Sequence, residues 1–135
     1  MQFWKTLAAA FTLAMFSTPG SAAIDGVKAT GNVRYVSGGV GEAERRELES
    51  AAGAFDLKVQ LASASGAFLA NTTVRVFDQS GQQLLATRTR GPLLLLDLPT
   101  GRYRIEAEHH GHKQGAWVKV DESEGIKPLT LSWAQ

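Results

Sequence analysis

The three histidines of this chain lie close together in the sequence, at positions 109, 110 and 112. Imidazole nitrogens bind zinc and copper, so this group is a candidate metal site. Neighbouring residues of a strand point to opposite faces, which separates His109 from His110. His110 and His112 could share an ion, with Glu108 as a third ligand. Because so few ligands converge and the chain has no cysteine, we favour a polar hairpin tip over a weak metal site, and we expect no cofactor.

Residue groups that serve catalysis or nucleotide binding are not recognisable as sequence motifs. No nucleophile elbow is present. The glycine-rich loop at residues 37–41 lacks the Lys-Ser/Thr ending of a phosphate-binding loop. Glu42, Glu44 and Glu47 have no histidine or aspartate spaced to join them, which favours a solvated helix face over an acid–base or metal cluster. We therefore predict no catalytic residues and a protein that is not an enzyme.

Two aromatic side chains, Phe77 and Trp117, occupy strand positions whose neighbours on the same face are polar. They could form an exposed aromatic surface for a partner or ligand. Alternatively, they could pack beneath the helix that is predicted near the N-terminus. We favour packing beneath the helix, because a helix needs an apolar surface on which to dock. Both residues remain a candidate interaction surface.

The clearest structural signal is a strand, a turn and a second strand between Gly91 and Tyr103. Residues 93–98 form an apolar run, and the sequence Leu-Pro-Thr-Gly at residues 98–101 has the preferences of a type I turn. From residue 102 to residue 108, apolar and charged residues alternate, as in a half-buried strand. Leu98 and Tyr103, which flank the turn, are expected to be buried.

The chain as a whole predicts an all-β fold with one short N-terminal helix. Residues 41–55 are predicted to be helical, because their apolar residues recur with helical spacing. Residues 24–40 are expected to be a flexible leader that contains at most a short strand near residues 33–36. Residues 56–135 contain about seven short strands separated by turns, which predicts a seven-stranded antiparallel β-sandwich.

The first 23 residues have the pattern of a secretory signal peptide, with Lys5, an apolar segment and small residues at the predicted cleavage site. The apolar segment is shorter than the roughly 20 residues needed to span a bilayer, so we expect no stable membrane anchor after cleavage. The absence of cysteine favours a bacterial periplasmic protein over a disulfide-bonded secreted one. Without residues 1–23 the chain has 13 basic and 13 acidic residues, a balance that gives no indication of nucleic-acid binding.

Residues 74–78, Gly81 and the segment from Gly91 to Tyr103 together resemble the carboxypeptidase regulatory-like domains. Residues 35–42 resemble small exported proteobacterial proteins that carry such a domain. The resemblance implies a prealbumin-like sandwich, related in shape to transthyretin. It implies no peptidase activity, because the zinc ligands of metallocarboxypeptidases lie in their separate catalytic domain.

These observations predict a periplasmic, non-enzymatic module that binds an unknown periplasmic protein or small ligand. One alternative is a small transthyretin-related hydrolase of ureide intermediates, although the Tyr-Arg-Gly-Ser motif of that family does not occur in this sequence. A second alternative is weak metal binding through the histidine-rich hairpin. No nucleic acid is expected among the partners.

Overall fold

A computed structural model describes residues 27–134, so the predicted signal peptide at residues 1–23 lies outside the described residues. The described residues form nine strands, one α-helix and two short 3-10 helices. The strands are β1 (Lys28–Thr30), β2 (Val33–Gly38), β3 (Leu57–Ser63), β4 (Thr73–Asp78), β5 (Gln83–Arg88), β6 (Leu93–Asp97), β7 (Gly101–His109), β8 (His112–Val120) and β9 (Lys127–Trp133). The helices are α1 (Glu42–Ala51), η1 (Ala52–Ala54) and η2 (Glu122–Glu124).

The strands form two sheets that pack face to face. The first sheet has the order β1-β2-β6-β3-β9, and the second has the order β5-β4-β7-β8. Alternate residues of both sheets fill the core between them, as expected for strands with one buried face. The largest fully buried core side chains are Leu57, Val59, Leu61, Val74, Val76, Leu85, Leu94, Leu96, Leu98 and Ile105.

The prediction of seven antiparallel strands was wrong in two respects. The two additional strands, β1 and β2, lie in the segment that we expected to be a flexible leader. They form a hairpin, and β2 pairs with β6 while Val33 and Val36 are buried, so this segment gains both backbone hydrogen bonds and apolar contacts. In addition, β9 pairs with β3 in parallel, because η2 and the loop after it return the chain to the start of β3, where Lys127 N donates to the carbonyl of Asp56.

Helix α1 packs on the outer face of the first sheet. Leu48, together with Ala52 and Phe55 at the end of the helical segment, contacts Val36 and an outward-facing leucine row of β6, which consists of Leu93 and Leu95. Strand β6 is therefore buried on both faces, which explains why its sequence is an unbroken run of leucines rather than an alternating pattern. The helix predicted at residues 41–55 is α-helical from residue 42 to 51 and continues as a 3-10 turn to residue 54.

The turn between β6 and β7 is closed by two hydrogen bonds. Tyr103 Oη donates to the carbonyl of Pro99 over 2.7 Å, and Leu98 N donates to Asp56 Oδ2 over 3.0 Å. Leu98 and Tyr103 are both buried, which confirms the prediction made for these residues. The turn thus fixes the start of β7, which lies between β4 and β8 in the second sheet.

Within residues 27–134, no helix is both long enough and apolar enough to cross a membrane.

Candidate functional site

The histidine-rich segment forms the tight hairpin between β7 and β8. His109 pairs with His112, and the two residues between them, His110 and Gly111, both have positive φ, 52° and 80°. Positive φ at both central positions is the requirement of a type I′ turn, the two-residue connection that matches the twist of antiparallel strands. The hairpin was therefore placed correctly from the sequence, and His110 occupies a backbone conformation in which a histidine is uncommon.

The hairpin geometry separates the candidate metal ligands Glu108, His110 and His112. The strand register puts His112 on the face of the hairpin opposite to Glu108, and His110 lies in the turn. His109 faces the core, where its Nδ1 lies 3.1 Å from Thr72 Oγ1, and burial lowers its pKa, with a further contribution from the charge of His110. Glu108 points to the outer face of the second sheet, with its Oε1 at 4.0 Å from Arg75 Nη1. Across residues 27–134, no three His, Cys, Asp or Glu side chains lie close enough together to hold a metal ion.

Phe77 and Trp117 lie on the outer face of the second sheet and do not pack beneath the helix. The helix covers the first sheet, on the opposite side of the molecule, and its apolar residues contact β2 and β6 instead. Trp117 is 47% exposed, whereas Phe77 is half-buried. Of the two interpretations of these aromatic residues, the exposed surface is therefore the one that the structure supports, and the preference for packing beneath the helix was wrong.

A groove of about 330 Å³ lies between these two aromatic residues; we call it the aromatic groove. In the strand register, Arg104 of β7 pairs with Phe77 of β4 on one side and with Trp117 of β8 on the other. The lining of the aromatic groove consists of Phe77, Asp78, Gln79, Ser80, Gly81, Arg104, Glu106 and Trp117. The turn after β4 forms one rim, and the outer face of the sheet forms the floor.

The guanidinium of Arg104, whose side chain is 39% exposed, is oriented on that floor by one ion pair and by the space that β8 leaves for it. Its Nε donates to Glu106 Oε2 over 3.1 Å. On β8, Gly115 leaves the space that the guanidinium occupies, because a Cβ atom at position 115 would lie only 2.8 Å from Arg104 Nη2. An arginine restrained in this way loses less conformational entropy on binding an anion than a freely moving one.

A second arginine is stacked on the exposed tryptophan. The guanidinium carbon of Arg102 lies 5.2 Å from the centre of the Trp117 ring, within the range of a cation–π interaction. Lys119 pairs with Arg102 in the strand register, so both cations lie beside the aromatic groove. Neither takes part in an ion pair with any of the described residues.

The outer face of the second sheet carries an excess of positive charge, and we call it the basic face. The strand register places six basic residues on it, against two acidic residues, Glu106 and Glu108. The six are Arg75, Arg88, Arg102, Arg104, Lys113 and Lys119. The nearly equal numbers of acids and bases in the sequence thus conceal a strong separation of charge, with acidic residues concentrated on α1 and η2.

A second cavity, of about 410 Å³, opens where the β1–β2 turn meets the β4–β5 turn, beside Pro99 and Tyr103. Two of its polar side chains, Asp78 and Tyr103, are already engaged within the protein. Asp78 Oδ1 accepts hydrogen bonds from Ser80 and Gln82, which lower the pKa of Asp78, and Tyr103 Oη donates to Pro99. This cavity therefore presents no charged group that is positioned for a ligand.

Two carboxyl groups with displaced pKa values, Asp56 and Asp97, lie at one end of the first sheet. Burial, followed by a hydrogen bond with Asp97, raises the pKa of Asp56 to about 6, while the same hydrogen bond and Arg34 lower the pKa of Asp97. Such a difference between the pKa values of two neighbouring carboxyl groups is typical of acid–base pairs in enzymes. Here, however, both carboxyl groups make structural hydrogen bonds. Asp56 accepts a hydrogen bond from Leu98 N, and Asp97 Oδ2 accepts one from Arg34 Nη2 over 2.9 Å. Neither lines the aromatic groove or the second cavity.

No family model matches this chain, and no curated protein matches it significantly. The assignment of the candidate site therefore rests on the geometry of the structure alone. Sequence reasoning selected Phe77 and Trp117 but missed Arg102, Arg104 and the role of Gly115. The alternation of arginines in β7 was visible, yet only the strand register shows that they lie beside Trp117.

Proposed function

We propose that this protein is an exported, non-enzymatic binding module that takes its ligand in the aromatic groove. The observation that carries the proposal is Trp117, a large side chain 47% exposed beside the restrained guanidinium of Arg104. An exposed aromatic ring next to a fixed charge is typical of binding sites, since such residues contribute much of the contact energy in recognition.

The proposal includes export to the periplasm and membership of the carboxypeptidase regulatory-like group. Export is supported by the charge, apolar segment and small residues of the first 23 residues. The family is supported by the two packed sheets and by the placement of its sequence cue, which falls on β4, β6 and β7 around the closed turn at Pro99. This prealbumin-like assignment concerns the fold and by itself assigns no activity.

A binding role is favoured over hydrolysis by the positions of the titratable groups. His109 faces the core and contacts Thr72, whereas the arginines of the basic face lie farther along the same strand, on its opposite side. A hydrolase of the transthyretin-related type would need histidine and arginine to converge in one pocket. The charged side chains that line the aromatic groove are Asp78, Arg104 and Glu106, and no histidine is among its lining residues.

Affinity capture from a periplasmic extract of a Gram-negative bacterium tests the proposal. The purified protein is immobilised, and the retained proteins, glycans and small molecules are identified by mass spectrometry. We expect a retained component that is lost with Trp117→Ala. Phe68→Ala is the matched control, because Phe68 is 46% exposed and stacks on Arg45 at 4.6 Å, far from the groove. Retention that Trp117→Ala leaves unchanged, or that Phe68→Ala abolishes equally, would contradict the proposal.

A further inference from the structure

We infer that the ligand of the aromatic groove is an acidic saccharide, a chain of sugar units that carry carboxylate groups. The inference rests on the proposed function and names the chemical class of its ligand. It is argued from three features of the groove: the spacing of its aromatic walls, the placement of its cations and the presence of hydrogen-bond acceptors among those cations.

The aromatic walls are spaced to enclose a ring. Phe77 and Trp117 lie on the two strands that flank β7, so their backbones are about 10 Å apart, twice the spacing between neighbouring strands. Aromatic rings present flat apolar surfaces, and one face of a sugar ring is formed mainly by C–H groups. A saccharide that crosses the strands can therefore place a C–H face against Trp117 while its substituents reach the floor.

The cations are placed to receive a carboxylate. Arg104 lies between the two aromatic residues, and its Nη nitrogens carry four N–H donors in addition to the Nε–H that Glu106 accepts. Planar guanidinium groups bind carboxylates with paired, charge-assisted hydrogen bonds. Arg102 and Lys119 lie two residues farther along β7 and β8, so they add positive charge beside the groove.

The acceptors in the groove distinguish a saccharide from a nucleic acid. Glu106 lies on the floor beside Arg104, and Gln79 and Ser80 are on the rim. Sugar hydroxyl groups both donate and accept hydrogen bonds, so they can use all of these side chains. A phosphodiester backbone offers only acceptors, so it has no donor for the carboxylates of Asp78 and Glu106, which line the groove.

A membrane surface fits the groove less well than a saccharide. Proteins that bind an anionic bilayer insert protruding aromatic and aliphatic residues among the lipid head groups. Here Phe77 and Arg104 are half-buried within a concave surface, and Trp117 is held by its stacking with Arg102. The geometry favours a narrow chain that enters the groove over a flat surface that covers it.

Tryptophan fluorescence of the exported protein tests the inference directly. Of the tryptophans in residues 27–134, Trp133 is only 2% exposed, so a ligand-dependent change reports on Trp117. The probes are tetragalacturonate, its fully methyl-esterified form, a short oligodeoxythymidylate and vesicles that contain phosphatidylglycerol. The esterified tetramer has the same sugar rings without the charges, and it is therefore the matched control for the carboxylates.

We expect saturable binding of tetragalacturonate that weakens with added salt, and at least about tenfold weaker binding of the ester. Arg104→Gln should weaken tetragalacturonate binding by about tenfold or more, because it removes charge-assisted hydrogen bonds. Gly115→Ala should also weaken binding, because the added Cβ displaces the Arg104 guanidinium while leaving every cation in the sequence. Arg45→Gln, on the helix side, should leave affinity unchanged.

Thermal unfolding of each variant shows whether lost binding reflects lost folding; Arg104→Gln and Gly115→Ala alter the outer face and are expected to leave the core intact. Equal affinity for acid and ester, or tighter binding of the oligonucleotide or vesicles, would overturn the inference. If no probe binds but capture from extract still depends on Trp117, the ligand class is wrong and the proposed function stands. If neither probe binding nor capture depends on Trp117, both proposals fail.

Discussion

Asp56 and Asp97 illustrate how perturbed acids can serve structure instead of catalysis. Asp56 accepts the backbone N–H of Leu98 at the start of the turn, and Asp97 is paired with Arg34 of β2. Below a pH of about 6, a proton on Asp56 avoids placing two negative charges side by side. The pair thereby links β2, the end of β6 and the start of β3, which positions the turn that leads into β7.

Replacing Asp56 with Asn should stabilise the protein relative to the unsubstituted form near neutral pH, but not near pH 4. The folded-state pKa of Asp56, about 6, lies above its ordinary value of 3.8, so the native state binds this proton more tightly than the unfolded state. The contribution of Asp56 to stability therefore decreases as the pH rises from about 4 to about 6. Asparagine keeps an acceptor for Leu98 N without the charge, and we expect a gain of about 1–2 kcal/mol above pH 7 that disappears near pH 4.

Urea unfolding of the Asp56→Asn variant across this pH range measures the effect. Asp121→Asn is the matched control, because hydrogen bonds from Ser123 lower the pKa of Asp121 and the stability it provides is present above its ordinary pKa and lost as the pH falls. That control should lose stability near neutral pH. A gain from Asp56→Asn that is the same at every pH would contradict the account of a proton on Asp56.

Individual elements show which parts of the fold the sequence could predict. The β6–turn–β7 segment and the helix were predicted because their patterns are local: an apolar run before Leu-Pro-Thr-Gly, and apolar residues at helical spacing. Strand β2 was anticipated only as a possible short strand near residues 33–36. Strand β1 was missed because Lys28–Thr30 is polar or small and exposed, and its structure depends on pairing with β2, which in turn pairs with β6. Pairing between distant segments leaves no local pattern to read.

The β7–β8 hairpin contains the histidines that the sequence suggested as metal ligands, and it also has a structural role. His110 and Gly111 form the turn, and the backbone carbonyl of His112 accepts a hydrogen bond from Trp133 Nε1 over 2.8 Å. His109 is buried against Thr72. These contacts connect β8 with β9 and close this end of the sandwich, and of the three histidine side chains the contact to Thr72 involves only that of His109.

Calorimetric titration with Zn(II) and Cu(II) should therefore show no submicromolar binding to this hairpin. Two imidazoles without fixed orientation form a poor site, since tight sites need further ligands and hydrogen-bond partners that hold the imidazole rings. The comparison is a variant with His110→Ala and His112→Ala, which leaves buried His109 in place. Submicromolar binding that this double change abolishes would make the hairpin the functional site and contradict the assignment to the aromatic groove.

At the scale of the whole molecule, the helix and the basic face lie on opposite sides. Helix α1 covers the outer face of the first sheet, which leaves the outer face of the second sheet open and basic. The composition did not predict this arrangement. The net charge adds up acidic and basic residues that the fold places on different surfaces. Alternation within β7 indicated that Arg102 and Arg104 share a face, but their proximity to Trp117 and Gly115 follows from the β7–β8 register alone.

The most direct test of the binding account is chemical-shift mapping of the isotopically labelled protein with the ligand fraction captured from periplasmic extract. The account predicts shifts of the Trp117 indole N–H and of backbone amides at residues 77–81, 104–106 and 115–117, which form the groove and the strand beside it. Amides of α1 and of the hairpin tip at His110 should be unchanged. Shifts centred on the helix or on the histidine hairpin, with the Trp117 indole unaffected, would contradict it.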